Sequence, residues 1–481
     1  MEQDKNTLSN DIPMYKAGDP EQIRKEKEEL ISLESKGGWA KVKWYFSKSG
    51  PGWMQSAMTL GGGSAMASLF SGAFLGYEML WVQPVAMLVG IVMLSALAYQ
   101  TMCKRERPFL AMKTYVGAPM AWAWAICTIL ATIVWHFSQY SLAAGMSLDL
   151  IQAIGGYELA PGSAGQTIVL LLLAFAILAL ACKVVWNYGK GGRGIKIVEN
   201  IIKGIVWFII IAFAVVVVVC SFTGNGIDWG AVGRGFLPFS FDGGFHINVP
   251  SDNTGISIFI ASLSAAVGIN MTFLYGYSYL AKGWTKEFKG LARFDMITGM
   301  LIPYTLATSL MIIAAGSTLH TEEFVASGST NISPIAAASM LEAAGLPPIV
   351  SRLVFGLGII GMCFNAITMH MLVCGFAASE IFGFAPSGKK YKLATLIPSV
   401  GVFGAVLWNS LGTWIAIPTS AIALLVLPVA YIGFFLLNNK KKYLGDDMPR
   451  GATRFWWNLG MIVAILITIV SAVYYIVNVI F

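Results

Sequence analysis

The chain has 481 residues, 56% of them hydrophobic and 12% charged, with a mean hydropathy of +0.69. Soluble domains carry about a quarter charged residues, so the composition excludes an ordinary soluble fold and points to an all-α polytopic membrane protein. The net charge of +7 raises nucleic acid, lipid or topology as its cause; the placement of Lys and Arg, below, selects topology.

Residues 1–50 are too polar for a cleaved leader, so the first span is expected to serve as its own insertion signal. Within them "DPEQIRKEKEELISLESK" (19–36) has apolar residues at 23, 30, 31 and 33, which predicts a short cytoplasmic amphipathic helix, read as a solvated appendage. Apolar runs of about 20 residues mark spanning helices. Eleven are expected, numbered in order: 52–76, 77–101, 118–146, 165–185, 196–222, 255–281, 291–316, 349–385, 391–409, 413–437 and 456–480. Trp81, Trp122, Trp124, Trp456 and Trp457 stand near span ends, as interfacial aromatic belts do. The Gly- and Ser-rich stretches 223–254 and 317–348 form longer loops, and "ISPIAAASMLEAAGL" in the second suits a short surface helix.

Basic residues alternate sides with the spans. Lys36, Lys41, Lys43 and Lys48 precede span 1; Lys104, Arg105, Arg107 and Lys113 lie between spans 2 and 3; Lys190 and Arg193 lie between 4 and 5. Lys282, Lys286, Lys289 and Arg293 follow span 6, Lys389, Lys390 and Lys392 follow span 8, and Lys440 to Lys442, Arg450 and Arg454 follow span 10. The other loops hold only Arg234 and, at a span edge, Arg352. The positive-inside rule then makes the N-terminus cytoplasmic and, after eleven crossings of a plasma or inner membrane, puts the C-terminus outside. The +7 is thus a matter of topology, and no nucleic-acid partner is needed. Six cysteines without a CxxC pair give neither a disulfide framework nor a zinc site.

Span 1 contains "TLGGGSAMAS", and Gly61, Gly62, Gly63 and Ser64 fall at its middle. Each glycine costs about 1 kcal/mol against alanine inside a helix. Close packing of small residues is one reading, but it does not require three adjacent glycines. Span 6, "SLSAAVGINMTFLYGYSYL", carries Gly268, Asn270 and Thr272 at its own centre, and a mid-membrane Asn is a functional-site candidate. The two are five spans apart, an odd number, so a five-helix repeat would invert the second copy. Interrupted helices in matching places of two inverted halves point to a secondary-transporter binding site.

These residues resemble a known family. "GPGWMQSAMTLGGGS" is similar to the first-span signature of the Nramp divalent-metal transporters, where GPG is followed eight residues later by Asp-Pro-Gly-Asn; here Gly61-Gly62-Gly63-Ser64 stands at that distance from Gly50-Pro51-Gly52. The resemblance covers roughly 45–440 and implies the leucine-transporter-type fold, with two inverted five-helix repeats and broken helices 1 and 6. It divides the chain into a cytoplasmic segment (1–50), a first repeat (51–222), an outer loop (223–254), a second repeat (255–437) and a cytoplasmic loop with the eleventh span (438–481). The resemblance places Gly61 at the metal-binding Asp, Ser64 at the Asn, Asn270 at the Met of Met-Pro-His and Thr272 at its His; a slide by one would put Met271 at the Met. Ile133 and His136 stand at an acidic pair of span 3, and Ser420 at a coordinating Gln of span 10.

These replacements remove both the anionic charge and the sulfur that a dehydrated transition metal wants in direct contact. Ser64 and Asn270 remain as metal contacts, with Thr272, Ser420 and the carbonyls of Gly61 to Gly63 lining the rest. Such a set suits a hard divalent cation that keeps its water, such as magnesium. It equally suits a small organic solute or amino acid, while loss of transport would leave a receptor or scaffold. No cofactor is expected beyond a divalent metal ion as cargo. His136 and His370 are satisfied core residues or, by their near-neutral pKa, carriers of a symported proton. Glu199 and Lys203, four apart, are expected to pair, Asp295 to join an ion pair or gate, and Glu380 to be interfacial. The sequence has no Walker loop, HExxH or GxSxG, so ATP-driven pumping and hydrolysis have no support and the chain is not read as an enzyme.

Overall fold

A computed structural model of the protein describes residues 20–34, 38–188, 192–223, 226–241, 245–326 and 334–477. Side chains at 20, 22, 34, 192, 334, 408–424 and 475 are outside that description. Among the described residues, nine helices are long and apolar enough to cross a membrane, and Gly62–Leu75 and Leu425–Asn438 are shorter apolar helices. Those two belong to spans 1 and 10. Among the described residues the fold is all-α apart from a two-residue antiparallel pairing of Phe239–Ser240 with His246–Ile247.

Two spans are broken. Span 1 consists of half 1a (Pro51–Thr59) and half 1b (Gly62–Leu75), and span 6 of half 6a (Asn253–Ala265) and half 6b (Ile269–Lys282). Span 3 (Ala118–Gly155) runs beyond its expected end at 146, and its C-terminal half packs against spans 8 and 9. Spans 7 and 8 each contain a π-helical stretch, Ile297–Leu301 and Ile349–Val354. The expected non-helical link between spans 9 and 10 is not seen, because helix runs throughout Gly404–Asn438. That run is not straight. Gly404 lies against Phe137 and Phe434 against Trp124. These anchors are about 20 Å apart along span 3, whereas a straight helix from 404 to 434 would cover about 45 Å.

Close approach without side chains sets the packing of span 1. A Cβ on Gly72 would sit 2.5 Å from the Ile312 carbonyl oxygen, and one on Gly52 would run into that of Asp295, both in span 7 (Lys286–Thr318). The N-terminal helix Pro20–Glu34 is docked, not a free appendage. Lys48 of the next helix (Gly38–Lys48) meets Glu26 at 2.9 Å, Lys27 meets Glu287 at 3.4 Å, and the Trp44 indole donates to Glu29 at 2.7 Å. That indole bond holds the Glu29 carboxyl below the usual carboxylate range. The loop helix Trp229–Gly235 is capped by Asp228, whose Oδ1 accepts from Ala231 N at 2.9 Å. The expected surface helix forms at Pro334–Ala343.

Candidate functional site

The span 1 interruption falls at Leu60 and Gly61, so Gly62, Gly63 and Ser64 form the first turn of half 1b. Gly61 is extended (φ −134°, ψ −172°) and starts that half. Ser64 closes on it: its Oγ accepts from Gly61 N at 3.1 Å and donates to Gly61 O at 3.0 Å. Gly62 N donates to Gln139 Oε1 of span 3 at 2.8 Å. A Cβ on Gly63 would meet nothing within 4 Å, so open space lies beside the start of 1b.

Span 6 repeats this construction. Gly268 (φ −98°, ψ 163°) starts half 6b, and its N–H points to the Met271 sulfur at 3.4 Å. Asn270 Oδ1 accepts from Met271 N at 2.8 Å. Thr272 donates to Ile269 O at 2.5 Å and accepts from the Trp124 indole at 2.9 Å. The two interruptions are tied together, since Thr59 Oγ1 at the end of 1a reaches Ala265 O at 3.0 Å and Ala266 O at 2.7 Å at the end of 6a. Trp135, one turn before Gln139 on span 3, lies against Gly268.

The structure therefore brings Gly61, Gly62, Gly63, Ser64, Asn270 and Thr272 to two joined interruptions, but it corrects which groups they offer. The sequence reading assigns carbonyls of Gly61 to Gly63 to the cargo. Gly62 and Gly63 are the first helical residues of 1b, and first-turn residues turn their N–H groups, not their C=O groups, toward a helix start. Gly61 O is taken by Ala65 N at 3.0 Å as well as by Ser64. Met271 keeps a thioether beside the site, turned onto Gly268 N. The Ser420 side chain lies outside the described residues.

His136 and His370, fully buried, face each other with Nδ1 atoms 3.3 Å apart, and the Nε2 of His136 has no partner. Sequence reasoning missed Gln139 and Thr59, single polar residues with no spacing pattern to announce them, and it placed Trp124 in an interfacial belt, whereas that side chain is fully buried against the span 6 interruption. Gln55 on 1a and Asn365 on span 8 (Ile349–Phe382) are also buried, with both amide atoms sealed away unpartnered. Each such group costs about 1–3 kcal/mol when left so. Among the described residues no three His, Cys, Asp or Glu side chains gather into a metal-holding group. Residues 408–424 contain none of those four types either.

The membrane acids are engaged elsewhere. Asp295 receives the N–H of Gly50 at 2.9 Å and of Gly52 at 2.6 Å, capping half 1a with both carboxylate oxygens. Glu199 does not pair with Lys203 as its spacing suggests. It takes Lys282 at 2.7 Å, while Lys203 reaches across to the Ser49 carbonyl, an acceptor that ends the helix before 1a. Glu380 is not at the surface but buried, holding Arg107 at 3.4 Å and the Tyr277 hydroxyl at 2.6 Å. Asp149 holds Arg352 at 2.9 Å. The ends differ in openness. Halves 1a and 6b, on the Lys-rich side, are buried almost throughout, whereas 1b leaves a stripe of Gly63, Met66, Phe70 and Phe74 partly uncovered.

Two interrupted helices, antiparallel and joined at their breaks inside a bundle of spans, define a membrane transporter of the leucine-transporter-type architecture. The family model described as "Natural resistance-associated macrophage protein-like" matches residues 52–478, and the chain belongs to that family, Nramp. No curated protein matches the chain. Among solved structures, a mutant of the Eremococcus coleocola manganese transporter is similar at 13% identity and a TM-score of 0.70, covering 91% of this chain and 88% of that one. MhsT in complex with L-phenylalanine is similar at 16% identity and 0.57, covering 88% and 98%. The nucleobase-cation-symport-1 family transporter Mhp1 is similar at 13% and 0.53, covering 90% and 93%. These likenesses show the leucine-transporter-type fold, which proteins recorded with different bound molecules share.

Proposed function

We propose that this protein is a secondary active transporter of a hard divalent cation that keeps part of its hydration shell, with magnesium as the type. The observation that carries this reading is the chemistry of the joint between spans 1 and 6. It offers hydroxyl, amide and backbone groups from Ser64, Asn270, Thr272 and Gln139, while the acids Asp295, Glu199, Glu380 and Asp149 are engaged elsewhere. Because the Asn270 and Gln139 oxygens are committed to backbone N–H groups and no acid is free there, the joint has no ligand set for direct contact with a softer, dehydrated ion. An ion that keeps its water, as magnesium does, needs no such set and is held through that water.

Alternating access fits the difference between the ends. The Lys-rich side, cytoplasmic by the positive-inside rule, is closed by the clamp of Asp295 on 1a, and the opposite halves are more open. This leaves the N-terminus inside and the C-terminus outside. His136 and His370, touching at mid-bundle with one ring nitrogen unpartnered, are the groups suited to carry a coupled proton.

The test is flux in proteoliposomes. Magnesium or manganese uptake that falls at least tenfold in Asn270→Ala, with the variant still folded, is the expected result. Absence of uptake of either ion by the folded wild-type protein overturns the reading.

A further inference from the structure

We infer that the joint between the two interruptions contains a carboxylate subsite, so that the cation travels with an anionic oxygen ligand. The inference rests on the reading of that joint as the cargo site.

The orientation of two buried amides carries it. Asn270 and Gln139 are 2% and 4% exposed. In each, the oxygen is committed to a backbone N–H, Met271 N for one and Gly62 N for the other, both at 2.8 Å. An amide held by its oxygen must present its NH2 on the other side. Neither NH2 has a protein partner among the described residues, and neither is sealed in as the amides of Gln55 and Asn365 are.

The backbone adds to this polarity. Half-helices 1b and 6b, of 14 residues each, both begin at the joint. A helix start carries about half a positive charge and presents free N–H groups, which makes it an anion site. At Gly63 that start borders open space. Two NH2 groups and the Gly63 N–H are hydrogen-bond donors, and donors repel a cation and its inner-shell water hydrogens. They match the paired acceptor oxygens of a carboxylate. The carbonyl ends of 1a and 6a face the same joint. Ala265 O and Ala266 O already accept from Thr59 Oγ1 and Thr59 O from Gly61 N, and a carbonyl oxygen with a second lone pair is the kind of group that receives the cation. No Asp or Glu competes there, because the four membrane acids hold other partners.

The experiment is magnesium titration calorimetry on the full-length purified protein in three anion backgrounds: acetate as the carboxylate probe, chloride as the other small anion, and perchlorate as a poor hydrogen-bond acceptor. Magnesium affinity at least tenfold higher in acetate than in perchlorate, with chloride well below acetate, is expected. Gln139→Glu and Asn270→Asp keep the oxygen that caps the half-helix and replace the outward NH2 with an anionic oxygen. Each should abolish the acetate effect without lowering the melting temperature by more than a few degrees, and Gln139→Met should abolish it without adding charge. Equal affinity in all three backgrounds overturns the subsite while leaving cation transport standing. Chloride as effective as acetate overturns its assignment to a carboxylate. Acetate binding with no magnesium binding keeps the subsite and removes the cation reading.

Discussion

The two interruptions are built on one plan with different atoms. Each begins its second half-helix at an extended glycine, Gly61 or Gly268, and each returns a side chain three residues on to the N–H of that glycine. In span 1 the returning group is the Ser64 hydroxyl at 3.1 Å; in span 6 it is the Met271 sulfur at 3.4 Å. A hydroxyl is a good acceptor and a thioether a weak one, so the span 1 joint is the better fixed. The halves differ more than the breaks do: 1a is clamped by Asp295 and buried throughout, while 1b opens beside Gly63. What this teaches is that a repeated backbone device can hold one end rigid and leave the other free, according to which neighbours reach it.

The largest expected effect is at the clamp. Gly52→Ala would drive a Cβ into the Asp295 carbonyl oxygen, and overpacking of this kind costs about 3 kcal/mol when backbone blocks relief. Thermal unfolding in detergent should show a marked drop, with new labelling of a cysteine placed at Gln55 from the Lys-rich side. Asp295→Asn keeps the shape but has one acceptor for the two N–H groups of Gly50 and Gly52. Loss of a charge-assisted bond is worth about 2 kcal/mol, so the same labelling should rise, less than in Gly52→Ala. Unchanged labelling in both variants would mean that half 1a is not held by span 7.

Smaller effects sharpen the contrast between the breaks. Ser64→Ala removes a helix-start cap worth about 1 kcal/mol, to be read as a melting shift. Met271→Leu, nearly equal in volume, should cost less than about 1 kcal/mol, and a larger loss than for Ser64→Ala would reverse the ranking of the two joints. Gly63→Ala, with nothing within 4 Å to strike, should be neutral or gain up to about 1 kcal/mol of helix propensity, and any change in cation binding there would then be read free of folding effects.

The spans and both broken helices were legible because length and glycine placement are properties of the chain itself. "GGGS" and Asn270 marked the joints. The sequence did not reveal which groups face the joint, since a break two residues earlier than expected makes Gly62 and Gly63 first-turn residues that turn N–H groups, not carbonyls, toward it. Gln139 escaped notice because an isolated Gln in a 38-residue helix has no pattern; only the fold puts it against Gly61 and Gly62. Spacing also misled at Glu199 and Lys203. A local i, i+4 pair lost to Ser49 and Lys282, partners 154 and 83 residues away that no periodicity can show. His136 and His370, read separately, proved to be one pair.

The central claim is that the joint of spans 1 and 6 binds cargo through neutral oxygen and N–H groups, without an acid, imidazole or free thioether. Calorimetry of cadmium against magnesium on the wild-type protein tests it most directly. The account predicts cadmium binding no tighter than magnesium; cadmium bound tightly, and lost in Met271→Leu, would contradict it.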